Sequence, residues 1–223
     1  KAVLGEEETH HAGASRRIRV GDEIGLIDGR GTRAVAVVES VSHRALEFTV
    51  RARRRLRPGP SVSVAAAVPK GERFRTMIDM LSQIGVASIV PLVCERSMVR
   101  PRRSFSERWR RVAIEACKQS RNPYVPEIAE PKSLGDSLAR IRDGDTIGFA
   151  DAGGGMLTDV LPARGAFHLY IGPEGGFTEG EKALLGGAGG RPVNLGDNVL
   201  RVETAAVVAA ALSLLAKRRS REE

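Results

Sequence analysis

The residues of this chain whose types and spacing can do chemistry lie between Phe167 and Thr204. Phe167-His168-Leu169-Tyr170-Ile171 reads as a buried strand and runs directly into Gly172-Pro173-Glu174-Gly175-Gly176-Phe177. A second glycine-bearing turn follows after a short apolar run. It reads Asn194-Leu195-Gly196-Asp197-Asn198 and closes with Val199-Leu200-Arg201-Val202-Glu203-Thr204. Glycine turns at strand ends bring backbone amides and carbonyls closer to a ligand than side chains permit. This spacing points to a small-molecule site built largely from main chain.

Known phosphate motifs do not fit it. A P-loop needs Gly-Lys-Ser/Thr, and Gly175-Gly176-Phe177-Thr178 has no lysine; the dinucleotide fingerprint Gly-x-Gly-x-x-Gly is not met by Gly172-Pro173-Glu174-Gly175. The Glu174 carboxylate repels phosphate unless it is neutralised. A cationic ligand, or a neutral adenosine held by backbone groups, suits the turn better. Thr178-x-x-Glu181 is a capping box, a complete account of those two residues. Arg201 and Glu203 differ, because they stand between the second turn and an apolar helix. There Arg201 can hold a phosphate or a developing oxyanion, or simply pair with a carboxylate. His10, His11, His43 and His168 have no companion ligands at metal-binding spacing, and no Gly-x-Ser-x-Gly elbow is present, so neither a metal site nor a serine nucleophile is expected.

The elements that must position these turns follow from periodicity. From about Arg17 to Val68 the pattern is strand-like, with runs at 23–27, 33–41 and 46–50. Asp28-Gly29-Arg30-Gly31 between the first two predicts a hairpin. After Pro58-Gly59-Pro60 strands and helices alternate. Helices are expected at 72–84, from Ser106 onward with Trp109, Val112, Ala113, Ala116 and Cys117 on one stripe, at 133–142, and from Val202 to Arg219. Strands are expected at 61–68, 88–93, 146–150 and 167–171. The strand at 146–150 runs into Asp151-Ala152-Gly153-Gly154-Gly155, which makes a third glycine-bearing strand end. Alternation of this kind predicts a mostly parallel α/β sheet with ligands at its carboxyl ends. The boundary between a small β-barrel domain, 1–60, and the α/β domain, 61–223, is drawn at the prolines. The last helix is apolar nearly all round, so it needs cover on more than one side, deep in the domain or from another subunit.

The formal charge of +8 favours a polyanionic partner such as nucleic acid. Arg51, Arg53, Arg54, Arg55 and Arg57 crowd one segment, which is either spread into solvent or neutralised by phosphates. Only two cysteines, Cys94 and Cys117, and no signal- or membrane-like run favour a reducing cytoplasm.

The string Ile171-Gly-Pro-Glu-Gly-Gly-Phe-Thr, with Leu195-Gly196 and Val199-Leu200-Arg201-x-Glu203-Thr204, resembles the C-terminal signature of the RsmE family of ribosomal RNA methyltransferases. His11, Arg17, Gly21, Asp28-Gly29 and Gly31 are similar to that family's N-terminal pattern, Glu95-Arg96 to its central one, and Gln119-Ser120 with Val125-Pro126 to the segment after the long helix. Val202 and Asn122 depart from it, standing where threonine and arginine are common.

The resemblance implies a PUA-like RNA-binding barrel followed by a SPOUT domain whose backbone forms a trefoil knot, assembled as a homodimer. It implies methyl transfer from S-adenosylmethionine to N3 of a uridine in 16S ribosomal RNA, either naked or in an assembled small subunit. Ala150, Asp151, Ile171, Gly172, Pro173, Glu174, Gly175, Leu195, Gly196, Leu200 and Thr204 would hold the cofactor. Arg201 and Glu203 would serve catalysis, and Arg17, Arg51, Arg53, Arg54, Arg55, Arg96, Gln119 and Arg121 would meet RNA. A related knotted enzyme acting on another RNA, or a ribosome-assembly protein without activity, is the competing reading.

Overall fold

The carboxyl ends of a parallel sheet set the geometry of this protein. The structure is a computed structural model that describes residues 2–4, 18–42, 45–101, 105–162 and 165–222, with side chains for 18–42, 45–101, 105–162 and 165–218. His10, His11, Arg17 and His43 lie outside the described residues. Contacts divide the chain into two units, Lys1–Arg57 and Pro58–Glu223.

In the small unit, β1 (Ala2–Leu4), β2 (Glu23–Ile27), β3 (Thr32–Val41) and β4 (Leu46–Arg55) form an antiparallel sheet in the order β1-β4-β3-β2. Ala36, Val38, Leu46 and Phe48 are its buried core, with Ile18, Ile24 and Leu26 packed against them. The predicted hairpin joins β2 to β3. The Asp28 carboxylate accepts hydrogen bonds from the amides of Arg30 (2.7 Å) and Thr32 (2.8 Å), while Gly29 and Gly31 take φ of 71° and 106°. A hydrogen bond from the Thr32 side chain, together with these two amide bonds, holds the Asp28 pKa down at about 2. β4 does not stop at Val50 as its apolar pattern implies. Pairing with β3 carries it on to Arg55, so Arg51, Arg53, Arg54 and Arg55 lie on an exposed strand and Arg57 follows it.

The large unit follows the alternating pattern: β5 (Val62–Ala67), α1 (Arg73–Ile84), β6 (Ser88–Val93), α2 (Phe105–Ser120), β7 (Glu127–Ile128), β8 (Lys132–Ser133), α3 (Leu134–Leu138), β9 (Thr146–Met156), β10 (Phe167–Ile171), α4 (Glu179–Gly187), β11 (Arg191–Asn194) and α5 (Val202–Glu222). The strands are parallel in the order β11-β9-β10-β5-β6-β7, with β8 also paired to β6. Phe167, Leu169 and Ile171 of β10 point to one face, where Val62 and Val64 of β5 meet α1, α2 and α5. Met77, Ile78 and Leu81 of α1 are fully buried there; each such side chain contributes on the order of 2 kcal/mol. Tyr170 points to the other face, with Ala65, Leu92, Leu134, Phe177 and Leu185.

Two helix ends are tied together at the amino ends of the strands. Gly85 terminates α1 in the left-handed region at φ 91°, and α2 ends at Arg121, whose φ is 57°. The Asn122 side chain donates to the Ser82 carbonyl at 3.0 Å, so the residue that departs from the family pattern pins α2 to α1. The predicted helix at 133–142 is shorter than its sequence suggests. Beyond Leu138 the amides of Arg140 and Ile141 bond three residues back, to Ser137 and Leu138, which tightens the turn and ends the helix. α5 buries Val202, Ala205, Ala206, Ala209, Ala210 and Leu214, and the buried Lys217 ammonium donates to the carbonyls of Pro162 and Gly165. No helix among the described residues is long and apolar enough to cross a membrane.

Candidate active site

Five loops leave the carboxyl ends of β5, β6, β9, β10 and β11, and charged side chains lace them together. The widest departure from sequence expectation is β9. It does not end at Ala150 but continues to Met156, because β11 pairs with it on both sides of an excursion. Pro192 lies opposite Phe149 and Val193 opposite Gly155, so residues 150–154 are left out of the ladder. A Cβ on Gly154 would stand 2.5 Å from the backbone of Pro192 and Val193, which makes glycine obligatory where β11 backs the excursion. The excursion is pinned from two directions. Asn194 Nδ2 donates to the Ala152 carbonyl at 2.9 Å, and Lys182 Nζ pairs with Asp151 at 2.7 Å. The hydrogen bond from Lys182 holds the Asp151 pKa below its ordinary value.

The turn after β10 closes on itself, with the Gly176 amide donating to the Pro173 carbonyl at 2.7 Å and Gly176 at φ 69°. A Cβ on Gly172 would come within 3.1 Å of the Phe177 nitrogen. The capping box is present, since Thr178 accepts from the Glu181 amide and Glu181 from the Thr178 amide. Glu181 does more than the box requires. Its other oxygen accepts from the Glu95 amide at 2.9 Å and so fastens the loop after β6 to the start of α4. Beside it Cys94 is buried, and burial pushes its thiol up to about 12.

Two arginines complete the lacing. Arg96 donates to the Gly175 carbonyl at 2.7 Å. Arg73, which the sequence does not single out, bridges the turn after β10 to the start of α5. It lies 3.4 Å from Glu174 and 4.0 Å from Glu203, and donates to the Lys70 carbonyl at 3.2 Å. Its only sequence signal is the need for a cation between Glu174 and Glu203. Glu203 is buried, and its Oε2 is the one buried side-chain oxygen among the described residues with no hydrogen-bond partner.

The sequence-predicted residues therefore separate into groups. Ala150, Asp151, Ile171, Gly172, Pro173, Glu174, Gly175, Leu195, Gly196 and Leu200 all lie on the loops or strand ends at the carboxyl edge. Ala150, Leu195 and Leu200 pack against the main core, and the amide of Gly196, whose φ is 121°, donates to Asn194 Oδ1 at 2.7 Å. Arg201 is exposed and forms no ion pair among the described residues. Thr204 lies on the exposed stripe of α5, in line with Val208, Leu212 and Leu215. Gln119 and Arg121 are not at this edge. They lie at the end of α2, eight and six residues before β7, at the amino end of the sheet. The described residues hold no cluster of metal-ligating side chains.

This arrangement matches known proteins. An RNA methyltransferase domain profile covers residues 57–214, and an RNA methyltransferase PUA domain profile covers residues 4–51. Ribosomal RNA small subunit methyltransferase E of Mycobacterium bovis is 33% identical over 93% of this chain and 84% of its own length. The protein of that name from Synechocystis is 31% identical over 94% of this chain and 71% of its own. The crystal structure of the Neisseria gonorrhoeae ribosomal RNA small subunit methyltransferase E, bound to S-adenosyl methionine, superimposes with a TM-score of 0.88, at 26% identity, over 95% of this chain and 90% of that one. The chain thus belongs to the ribosomal RNA small subunit methyltransferase E family, with an RNA methyltransferase PUA domain preceding the methyltransferase domain.

Proposed function

We propose that the protein methylates N3 of a uridine in small-subunit 16S ribosomal RNA, using S-adenosylmethionine bound among the loops at the carboxyl edge of the large sheet. The observation that carries this reading, in a member of this family, is a buried carboxylate oxygen, Glu203 Oε2, with no hydrogen-bond partner among the described residues, 4.0 Å from the Arg73 guanidinium that also pairs with Glu174 in the turn after β10. The residues present fit the cofactor. A Cβ on Gly196 would meet nothing within 4 Å, so its backbone is open to approach, whereas Gly172 and Gly175 pack closely against Phe177 and Arg96. Glu174 and Glu203 supply negative charge suited to a cationic ligand, and Arg73 sets their spacing. Ala150, Asp151, Leu195 and Leu200 close the remaining wall.

The bound cofactor supplies an electrophilic methyl group on a sulfonium centre. Uracil N3 carries a proton on its Watson-Crick edge, so the target base must be unpaired to reach the loops. Glu203 accepts that proton. The N3 lone pair then forms the new bond to the methyl carbon, while the bonding pair of the broken bond remains with sulfur. Arg201, which forms no ion pair among the described residues, stabilises the negative charge that develops on the uracil. Orientation supplies the rest of the acceleration, and the tethers from Arg96, Lys182, Asn194 and Arg73 provide it.

The arginines of β4, together with Arg17 and Arg121, position the RNA through its phosphates. The exposed stripe Val208, Leu212 and Leu215 on α5 supports a homodimer, since contiguous apolar surface of this kind marks an interface. A C-terminal trefoil knot in the 61–223 domain and a cytoplasmic setting, where ribosomal subunits are found, belong to the same reading. An experimental chain trace without threading would remove the knot and leave the chemistry standing. Monomeric sedimentation at micromolar concentration would remove the dimer.

The decisive experiment incubates the protein with isotopically labelled S-adenosylmethionine and either naked 16S RNA or small subunits, then maps methylated nucleotides by mass spectrometry. Label at N3 of one uridine is expected. Label at another atom or in another RNA, or no saturable cofactor binding by calorimetry, overturns the reading.

A further inference from the structure

Parallel sheets are ordinarily covered on both faces, yet one face of the large sheet is covered only in its carboxyl half. There Tyr170, Ala67 and Leu92 pack under Leu134, Phe177 and Leu185. Toward the amino ends the same face carries a polar row. Ladder registers place Ser88 opposite both Glu127 and Ser63, and Ser63 opposite His168. A groove of about 600 Å3 lies over this row.

Its floor is hydroxyl-rich and internally paired. The Oγ atoms of Ser88 and Ser63 are 2.8 Å apart, Ser137 Oγ lies 3.0 Å from the Tyr170 hydroxyl, and His168 Nε2 lies 3.1 Å from Asp145. Each hydroxyl keeps unused hydrogen-bonding capacity after these contacts. Lys132, Arg140 and Arg142 also line the groove, and none of them forms an ion pair among the described residues. Two acids oppose them. Asp145 is committed to His168 and to the Ala166 amide (2.9 Å), which leaves Glu127 as the single uncommitted carboxylate against three uncommitted cations.

We propose that this groove binds a single-stranded segment of the substrate RNA, with Lys132, Arg140 and Arg142 against phosphodiesters and the Ser63–Ser88–His168 floor against ribose hydroxyls. Free cations at the rim answer the phosphate charge, and hydroxyl and imidazole groups answer the ribose 2′-OH that distinguishes RNA from DNA. The volume suits a nucleotide-sized ligand and is too small for a duplex. His168 lies four residues before Gly172 on β10, so the groove is about 13 Å from the cofactor loops. It therefore takes nucleotides flanking the target rather than the reacting base. Arg121 and Gln119, at the end of α2, lie at this same end of the sheet. The inference rests on the RNA methyltransferase reading for the identity of the strand.

The test compares the full-length protein with its Lys132→Glu/Arg140→Glu/Arg142→Glu variant by fluorescence anisotropy on a labelled single-stranded 16S RNA fragment across a salt series. Affinity should fall at least ~10-fold, and the slope of log affinity against log salt should become shallower by about 2, since each single-strand phosphate contact contributes about 0.7. Unchanged affinity and slope, or no binding of this RNA by the parent protein, overturn the proposal. S-adenosylmethionine binding by calorimetry should be the same in both proteins, and Arg140→Gln alone should move the slope by about 0.7 should the triple variant fail to fold. Ser63→Ala/Ser88→Ala should reduce the preference for RNA over DNA of the same sequence about threefold. Saturable binding of free uridine 5′-monophosphate in the groove, without any loss of RNA affinity in the triple variant, would make it a mononucleotide site and overturn the RNA reading. Loss of RNA affinity in the triple variant alongside a parent protein that transfers no methyl group would sink the proposed function and leave the groove standing.

Discussion

Arginine is used in opposite ways in the two units. On β4, Arg51, Arg53, Arg54 and Arg55 are all exposed, with Asp28 beside Arg55 and Arg33 opposite Arg54. In the large unit, Arg73 and Arg96 spend their donors on two carboxylates and two backbone carbonyls of the loops. The first set is available to a partner, whereas the second is architecture. A dense run of like charge marks surface that a polyanion must neutralise, while an isolated arginine among glycine turns marks a strut. Arg201 belongs to neither class, being isolated in sequence, exposed and in no ion pair among the described residues.

Four measurements break or sharpen this contrast. The largest effect is expected for Arg201→Ala, with single-turnover methyl transfer reduced ~100-fold or more and cofactor affinity nearly unchanged; equal losses would place Arg201 among the struts. Next, Arg73→Met should weaken S-adenosylmethionine binding about 10-fold, or about 1.4 kcal/mol, because Glu174 and Glu203 lose their common partner while RNA affinity stays the same. Calorimetry on that variant would refute the strut assignment if affinity for the cofactor held. Arg53→Ala/Arg54→Ala/Arg55→Ala should do the reverse, lowering RNA affinity about fivefold and flattening its salt dependence with no change in cofactor binding. The smallest effect concerns the β2–β3 hairpin. The folded pKa of Asp28 is depressed from 3.8 to about 2, so its contribution to stability is fully present above pH 4 and disappears as pH falls toward 2. An NMR titration placing the Asp28 midpoint near 4 would remove that contribution.

Local chemistry made much of this legible. The hairpin at Asp28-Gly29, the capping box at Thr178, the glycine stop at Gly85 and the strands at 62–67, 88–93 and 167–171 each depend on residues within a few positions of one another. The elements read less well depend on partners distant in sequence. β9 looks like a short strand before a glycine turn, and only Val193 and Asn194, pairing with Gly155 and Met156, reveal that the strand resumes. Arg73 gives no local signal, because Glu174 and Glu203 reach it only through the sheet order. The resemblance located Arg96 among the RNA contacts, but its hydrogen bond to the Gly175 carbonyl gives it a structural task as well. The polar groove was illegible for the same reason, since Ser63, Ser88 and His168 become neighbours only when three parallel strands align.

The contact at Gly154 also constrains the order in which the molecule is made. A chain synthesised from its amino end completes β9 well before residues 191–194 leave the ribosome. Until β11 arrives, the peptide of Gly154 faces no backbone, and one wall of the proposed cofactor site has nothing behind it. Ligand competence is thus a late event of biosynthesis, reached when residues 191–194 close on β9. Pulsed hydrogen exchange during refolding should show amides 152–155 gaining protection no earlier than Val193, and earlier protection at 152–155 would contradict this sequence of events.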